Sequence, residues 1–230
     1  MRGKAHNLRG HNLVAWITAF LMLVSLYAIF WYAPLEKYML EVQKIFYIHV
    51  GAAWNAFFAF FVVFVASVLY LKTRDLKYDV LAAASAEVGL LFTTIVLLTG
   101  PIWGKHSWNT WWTWEPRLTT TLILWFIYFA YFLVRAGVAE KARRAVLSAV
   151  FGIIGFLDVP IIYISVRWWG SHPMVFGKTG GGLHPMMLHA LIVSVVAFTF
   201  LYVYFCQKAM ALENTRQELQ EIKEKLRERI

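Results

Sequence analysis

Seven histidines and eleven tryptophans stand out in this chain because of where they fall. Five tryptophans (Trp103, Trp108, Trp111, Trp112 and Trp114) crowd into the stretch PIWGKHSWNTWWTWEPRLTTT, and Trp168 and Trp169 form a second group. His6 and His11 lie in the N-terminal tail; the others are His49, His106, His172, His184 and His189. His172 and His184 each precede a proline, in RWWGSHP and GGLHP, which restricts them to extended conformations on a loop or at a helix start. Neutral imidazole ligates iron or zinc. Indole rings offer a flat, polarizable surface suited to a large planar ligand. A zinc site would have no use for seven tryptophans, and the chain has no His-x-x-x-His pair. A planar macrocycle with a central metal uses both features: two histidines take the axial positions and indoles cover a face. Haem also carries two propionates, and Lys37, Lys44, Lys105, Arg117, Arg167 and Lys178 are the candidate counter-charges. Arg117 and Arg167, each beside a Trp-rich segment, are the best placed of these, and snorkelling at a membrane interface is the plainer reading of either.

The elements that must position these groups are membrane spans. Of the 230 residues 60% are hydrophobic and only 15% charged, with a mean hydropathy of +0.58. A soluble fold of this length has too little interior for so many apolar side chains. The single cysteine, Cys206, excludes an internal disulfide framework, a four-thiolate zinc site and a Cys-x-x-Cys-His haem attachment. Apolar runs cover Leu13–Ala33, Ile45–Leu71, Val80–Ile102, Leu118–Arg135, Ala145–Val166 and Pro185–Gln207. Each is near the ~20 residues that an α-helix needs to cross a bilayer, and backbone in hydrocarbon must bond internally. The fold class is therefore all-α and polytopic, with six transmembrane helices. The first span runs into Phe30-Trp31-Tyr32 with no small-residue cleavage pattern after it, and so reads as a span rather than a cleaved leader.

Charge orients the spans. Sixteen of the 22 Lys and Arg residues fall in the two tails and the second-to-third and fourth-to-fifth loops. The positive-inside rule then makes both termini cytoplasmic and turns the Trp-rich segments and five histidines outward. The net charge of +9 is thus a topology signal rather than a sign of nucleic-acid binding. An interfacial aromatic belt would scatter tryptophan over both faces and would not place five within twelve residues. Two regions are expected: 1–207, a six-helix membrane domain with an outward Trp-rich loop over 103–117, and 208–230, a charged amphipathic cytoplasmic helix. In the latter Leu212, Leu219, Ile222 and Leu226 make a narrow apolar stripe for a partner or a short coiled coil. Glu87 and Asp158 are acids within spans, a costly placement that calls for partners.

The stretch from Trp103 to Thr119 resembles the tryptophan-rich signature of the haem-handling proteins of cytochrome c maturation. With YIHVGAAW before it and DVPIIYISVRWWGSHP after it, the chain resembles the CcmC (haem exporter protein C) family over nearly all but its tails. The family pattern Trp-Asp-Ala-Arg-Leu-Thr reads Trp114-Glu115-Pro116-Arg117-Leu118-Thr119 here, and Glu115 is expected to bond to Arg117 or a loop backbone. The resemblance implies a non-enzymatic protein of the bacterial inner membrane with a haem b site facing the periplasm, the haem held non-covalently and passed on. It implies axial iron ligands at His49 and His172, with His184 as rival to His172. The haem-binding set it implies adds Trp103, Trp108, Trp111, Trp112, Trp114, Arg117, Trp168 and Trp169. Implied partners are the haem chaperone CcmE, the ABC transporter subunits CcmA and CcmB, and the small membrane protein CcmD. Three other readings stay open. They are a b-type haem electron-transfer subunit, which would place ligands mid-span; a CcsA-type cytochrome c synthetase subunit; and a transporter whose midplane site holds Glu87 and Asp158.

Overall fold

The computed structural model describes residues 2–168 and 183–227, without the side chains of 2–12, 166–168, 217, 220, 221 and 224. Among the described residues there are six long α-helices: α1 (Arg2–Tyr27), α2 (Gln43–Thr73), α3 (Leu76–Trp108), α4 (Pro116–Gly137), α5 (Lys141–Trp168) and α6 (Pro185–Arg227). All six are long and apolar enough to cross a membrane, and the chain is a multi-pass membrane protein. Most helices overrun their apolar runs, because local chemistry rather than hydropathy sets their ends. Arg74 ends α2 in the left-handed region, at φ 59°, its N–H donating to the Tyr70 carbonyl. Asp75 then caps α3 by accepting from the Lys77 N–H at 3.0 Å. Pro116 occupies the first turn of α4, where its missing N–H costs nothing. The first span closes in a π-helical turn over Ala28–Tyr32, which periodicity alone does not reveal.

Helix α2 is the centre of the bundle, packed against α3, α5 and α6, while α1 leans on α6. Small residues permit the approach. A Cβ on Gly89 would come within 2.6 Å of Phe60, whose ring in turn stacks on Tyr128 with centroids 3.8 Å apart. Large apolar side chains such as Trp16, Trp54, Phe126 and Leu133 point outward instead, as expected where hydrocarbon replaces water. Two buried serines are paired across helices inside the bundle: the Ser85 hydroxyl donates to the Ala59 carbonyl at 2.8 Å, and Ser194 to the Tyr47 carbonyl at 2.8 Å.

A charged layer closes one end. Arg135 Nη1 and Nη2 donate to the two oxygens of Asp79 at 2.6 and 3.2 Å, and Glu213 of α6 lies 3.6 Å from the same guanidinium. The basic residues around the α2–α3 and α4–α5 turns cluster at this end, and α6 continues beyond it to Arg227 with Leu212, Leu219, Ile222 and Leu226 exposed. Because Asp79 is only 4% exposed, its partner is indispensable. Arg135→Met is expected to lower stability by about 3–5 kcal/mol, and adding Asp79→Leu to recover most of that loss. Denaturation of the detergent-solubilised chain, followed by tryptophan fluorescence, measures both.

A histidine and tryptophan cavity at the far end of the bundle

The opposite end of the bundle holds a cavity of about 690 Å³, within the roughly 300–1,000 Å³ usual for ligand sites. Helix α3 supplies one wall through Leu97, Gly100, Pro101, Trp103, Gly104 and Trp108. Pro101 does not end the helix, so Trp103 and Trp108 are helical, and the loop expected over 103–117 is irregular only from 109 to 115. Asn109, at φ 56°, terminates α3 in the left-handed region, and Lys105 Nζ donates to its side-chain oxygen at 2.9 Å. The chain then passes Trp111 and Trp112 along the cavity before Pro116 opens α4. The indoles do not form a flat ledge. Trp103 and Trp108 meet edge to face at 84°, and Trp112 and Trp114 at 79°, the arrangement their ring quadrupoles favour. The result is a box. Trp114 stands outside it, 76% exposed.

His49, on the second turn of α2, lines the same cavity. Its Nδ1 lies 2.8 Å from Thr99 Oγ1, and the Thr99 hydroxyl donates its one proton to the Ile95 carbonyl at 2.7 Å. Thr99 must therefore accept from His49, which puts the proton on Nδ1 and leaves Nε2 with a bare lone pair. His184 lines the cavity in the opposite state. It precedes Pro185 at the start of α6, and its Nδ1 accepts from the Met186 N–H at 3.3 Å, capping the helix. The proton then sits on Nε2, and His184 has a donor rather than a ligand to offer there. His106 is exposed, and His189 Nδ1 pairs with the Tyr32 hydroxyl at 3.1 Å away from the cavity. His172 and Trp169 lie outside the described residues, as do the side chains of Trp168 and Arg167.

Of the candidate counter-charges, Lys37 and Arg117 line the cavity. Arg117 Nη2 donates to Glu115 Oε1 at 2.8 Å, the pairing expected for that acid. Lys44 is paired with Glu41 and lies over the Phe30 ring, and Lys105 is committed to Asn109. Lys178 lies outside the described residues. The Trp112 Nε1 is buried and has no partner among the described residues. Glu87 and Asp158 are not part of the cavity wall: Glu87 is exposed, Asp158 buried.

Sequence reasoning missed the loop between the first and second spans. Glu36 Oε2 accepts from the Tyr38 and Met39 N–H groups at 2.7 and 2.6 Å, curling the chain so that Leu35, Met39 and Gln43 join the wall. Tyr163 and Met187 also join it. The missed Thr99 had no distinguishing signal, since threonines commonly bond back to the carbonyl four residues earlier.

The sequence profile described as heme exporter protein C matches residues 5–225. The heme exporter protein C of Bradyrhizobium diazoefficiens is 36% identical over 193 residues, which is 83% of this chain and 73% of that protein. A Marchantia polymorpha protein named as a putative cytochrome c biosynthesis ccmC-like mitochondrial protein is 34% identical over 79% of this chain and 78% of its own length. The Escherichia coli K12 heme exporter protein C is 28% identical over 84% of this chain and 82% of its own.

The relay from His49 to Thr99 makes a measurable demand. Thr99→Val removes the acceptor that holds Nδ1 protonated, and is expected to weaken ferric protoporphyrin binding by the purified chain about 10–100-fold, with Thr99→Ser retaining it.

Proposed function

The chain belongs to the heme exporter protein C family, and on that premise we propose that it holds haem at the periplasmic face of the bacterial inner membrane and hands it on for cytochrome c maturation. The observation that carries this reading is the imidazole of His49, its Nδ1 committed to Thr99 and its Nε2 left basic, on the wall of an indole-lined cavity of haem-accommodating size. Trp103, Trp108, Trp111 and Trp112 exclude water from the macrocycle and contact its faces and edges. Trp114 braces Trp112 from outside, and Trp168 and Trp169 are assigned to haem binding with them. The propionates take the Arg117 guanidinium, with His184 Nε2–H as a further donor.

Binding is non-covalent, as handing over requires, and haem b is the species carried. His49 is the fixed ligand because a helix and the Thr99 relay hold it. His172 is the exchangeable ligand, in a segment whose sequence is rich in glycine (Gly170, Gly177 and Gly180–Gly182). The protein itself makes and breaks no covalent bond; the haem chaperone CcmE receives the cargo, and the ATPase work belongs to the ABC transporter of CcmA and CcmB, with CcmD in the same complex. Residues 1–207 act as the haem-handling unit, with both termini in the cytoplasm, and 208–230 as a charged appendage on that side.

Absorption spectra of haem-loaded variants test the ligand assignment. His49→Ala is expected to abolish the low-spin spectrum, and His172→Ala to convert it to a high-spin one. His184→Ala should leave it low-spin. An unchanged low-spin spectrum in both of the first two variants would overturn the assignment.

A further inference from the structure

Glu87 sits on α3 eight residues from Asp79 in the charged layer and sixteen from Trp103 at the cavity, roughly 12 and 24 Å away at 1.5 Å per residue. Both separations place it inside a hydrocarbon slab of about 30 Å. Its side chain is exposed and makes no hydrogen bond or ion pair with any described residue. Ionisable side chains within spans face a bundle interior or a water-filled cavity almost without exception. Glu87 faces neither. Two turns of helix separate it from the charged layer, too far for so short a side chain to reach. The stripe it shares, at helical spacing, is apolar: Leu91, Leu98 and Ile102 are 46%, 65% and 48% exposed. Thr94 lies on the same stripe and is covered by α4, through Trp125 Nε1 at 2.8 Å, whose ring stacks on Phe129.

We propose that this stripe of α3 seats a membrane-spanning helix of a different polypeptide, one carrying a basic side chain near mid-bilayer that pairs with Glu87. Charge selects that occupant. A carboxylate on a lipid-facing surface is costly, and a cation delivered on a neighbouring helix removes the cost while the leucines on either side pack against it. A second copy of this chain would not serve. Its described spans hold no Lys or Arg at mid-depth, and Arg117 and Arg135, at the two ends of α4, are already paired with Glu115 and Asp79. Two copies would therefore set Glu87 against apolar surface or another carboxylate. The proposal goes beyond the haem site and does not rest on it.

A photo-crosslinking residue at position 91 of the full chain, activated in its native membrane and mapped by peptide mass spectrometry, tests the occupant. The expected adduct is with a spanning segment of another polypeptide that contains Lys or Arg. Glu87→Leu should lower its yield about tenfold, the loss of one intramembrane polar contact. Glu87→Lys should abolish the adduct, and reversing the partner's basic residue to Glu should restore it. Adducts to lipid alone, to a second copy, or to a segment without a basic residue overturn the proposal, as does a yield unchanged in Glu87→Leu. Porphyrin binding by the Glu87 variants reports that they have folded. Should they not fold, the adduct mapped in the chain that keeps Glu87 still decides the matter.

Discussion

A polar group surrounded by hydrocarbon is costly unless protein satisfies it, and several polar groups of this bundle show how that demand is met. Asp79 meets it with a two-pronged pair to Arg135, which ties α3 to α4 and, through Glu213, to α6. Ser85 and Ser194 meet it with backbone carbonyls of α2, so that the central helix is held polar-to-polar as well as by packing. At the cavity the same demand sets chemistry. Thr99 can satisfy its own helix only by spending its proton on Ile95, and that forces it to accept from His49. The reactive state of the imidazole is thus a consequence of how a helix satisfies a buried hydroxyl.

The contrast with His184 shows why residue type alone does not identify a ligand. Both histidines border one cavity, yet hydrogen bonding sends their protons to opposite nitrogens. Among the described residues His49 accepts no hydrogen bond, and it donates from Nδ1. His184 accepts at Nδ1 because the start of α6 has an N–H to satisfy, and Pro185 fixes it in the capping position. To ligate a metal through Nε2, His184 would have to lose its cap or its proton. His49 has neither obstacle.

Six helices and the gathering of histidine and tryptophan at one end were legible because hydropathy and residue clustering survive without three-dimensional detail. Trp103 shows the limit: its place on a helix depends on Pro101 being absorbed within α3, which local rules disfavour. The inclusion of Met39 and Gln43 in the wall depends on two side-chain-to-backbone bonds from Glu36, in a loop whose composition suggested only charge. Glu87 was visible as an acid in a span, but its outward direction was not. Helix α3 is apolar all round, and no periodicity separates its lipid-facing side from its bundle-facing side. A face becomes readable only when the two solvents differ, and hydrocarbon and protein interior differ too little.

The edge-to-face packing of the indoles bears on how such a site lets go. A flat ledge of stacked rings would match a planar ligand over its whole face and release it slowly. Rings set edge to face, as Trp103 and Trp108 are, would meet such a ligand with less matched area. Two of the ring-bearing residues, Trp103 and Trp108, are anchored on α3, whereas Trp111 and Trp112 belong to the irregular stretch between Asn109 and Pro116. The rigid half is continuous with Thr99 and faces His49. The other half hangs on the irregular stretch from 109 to 115, tied back to α3 by Lys105 Nζ on Asn109. A site assembled this way pairs an imidazole held in one protonation state with a wall built half on helix and half on loop.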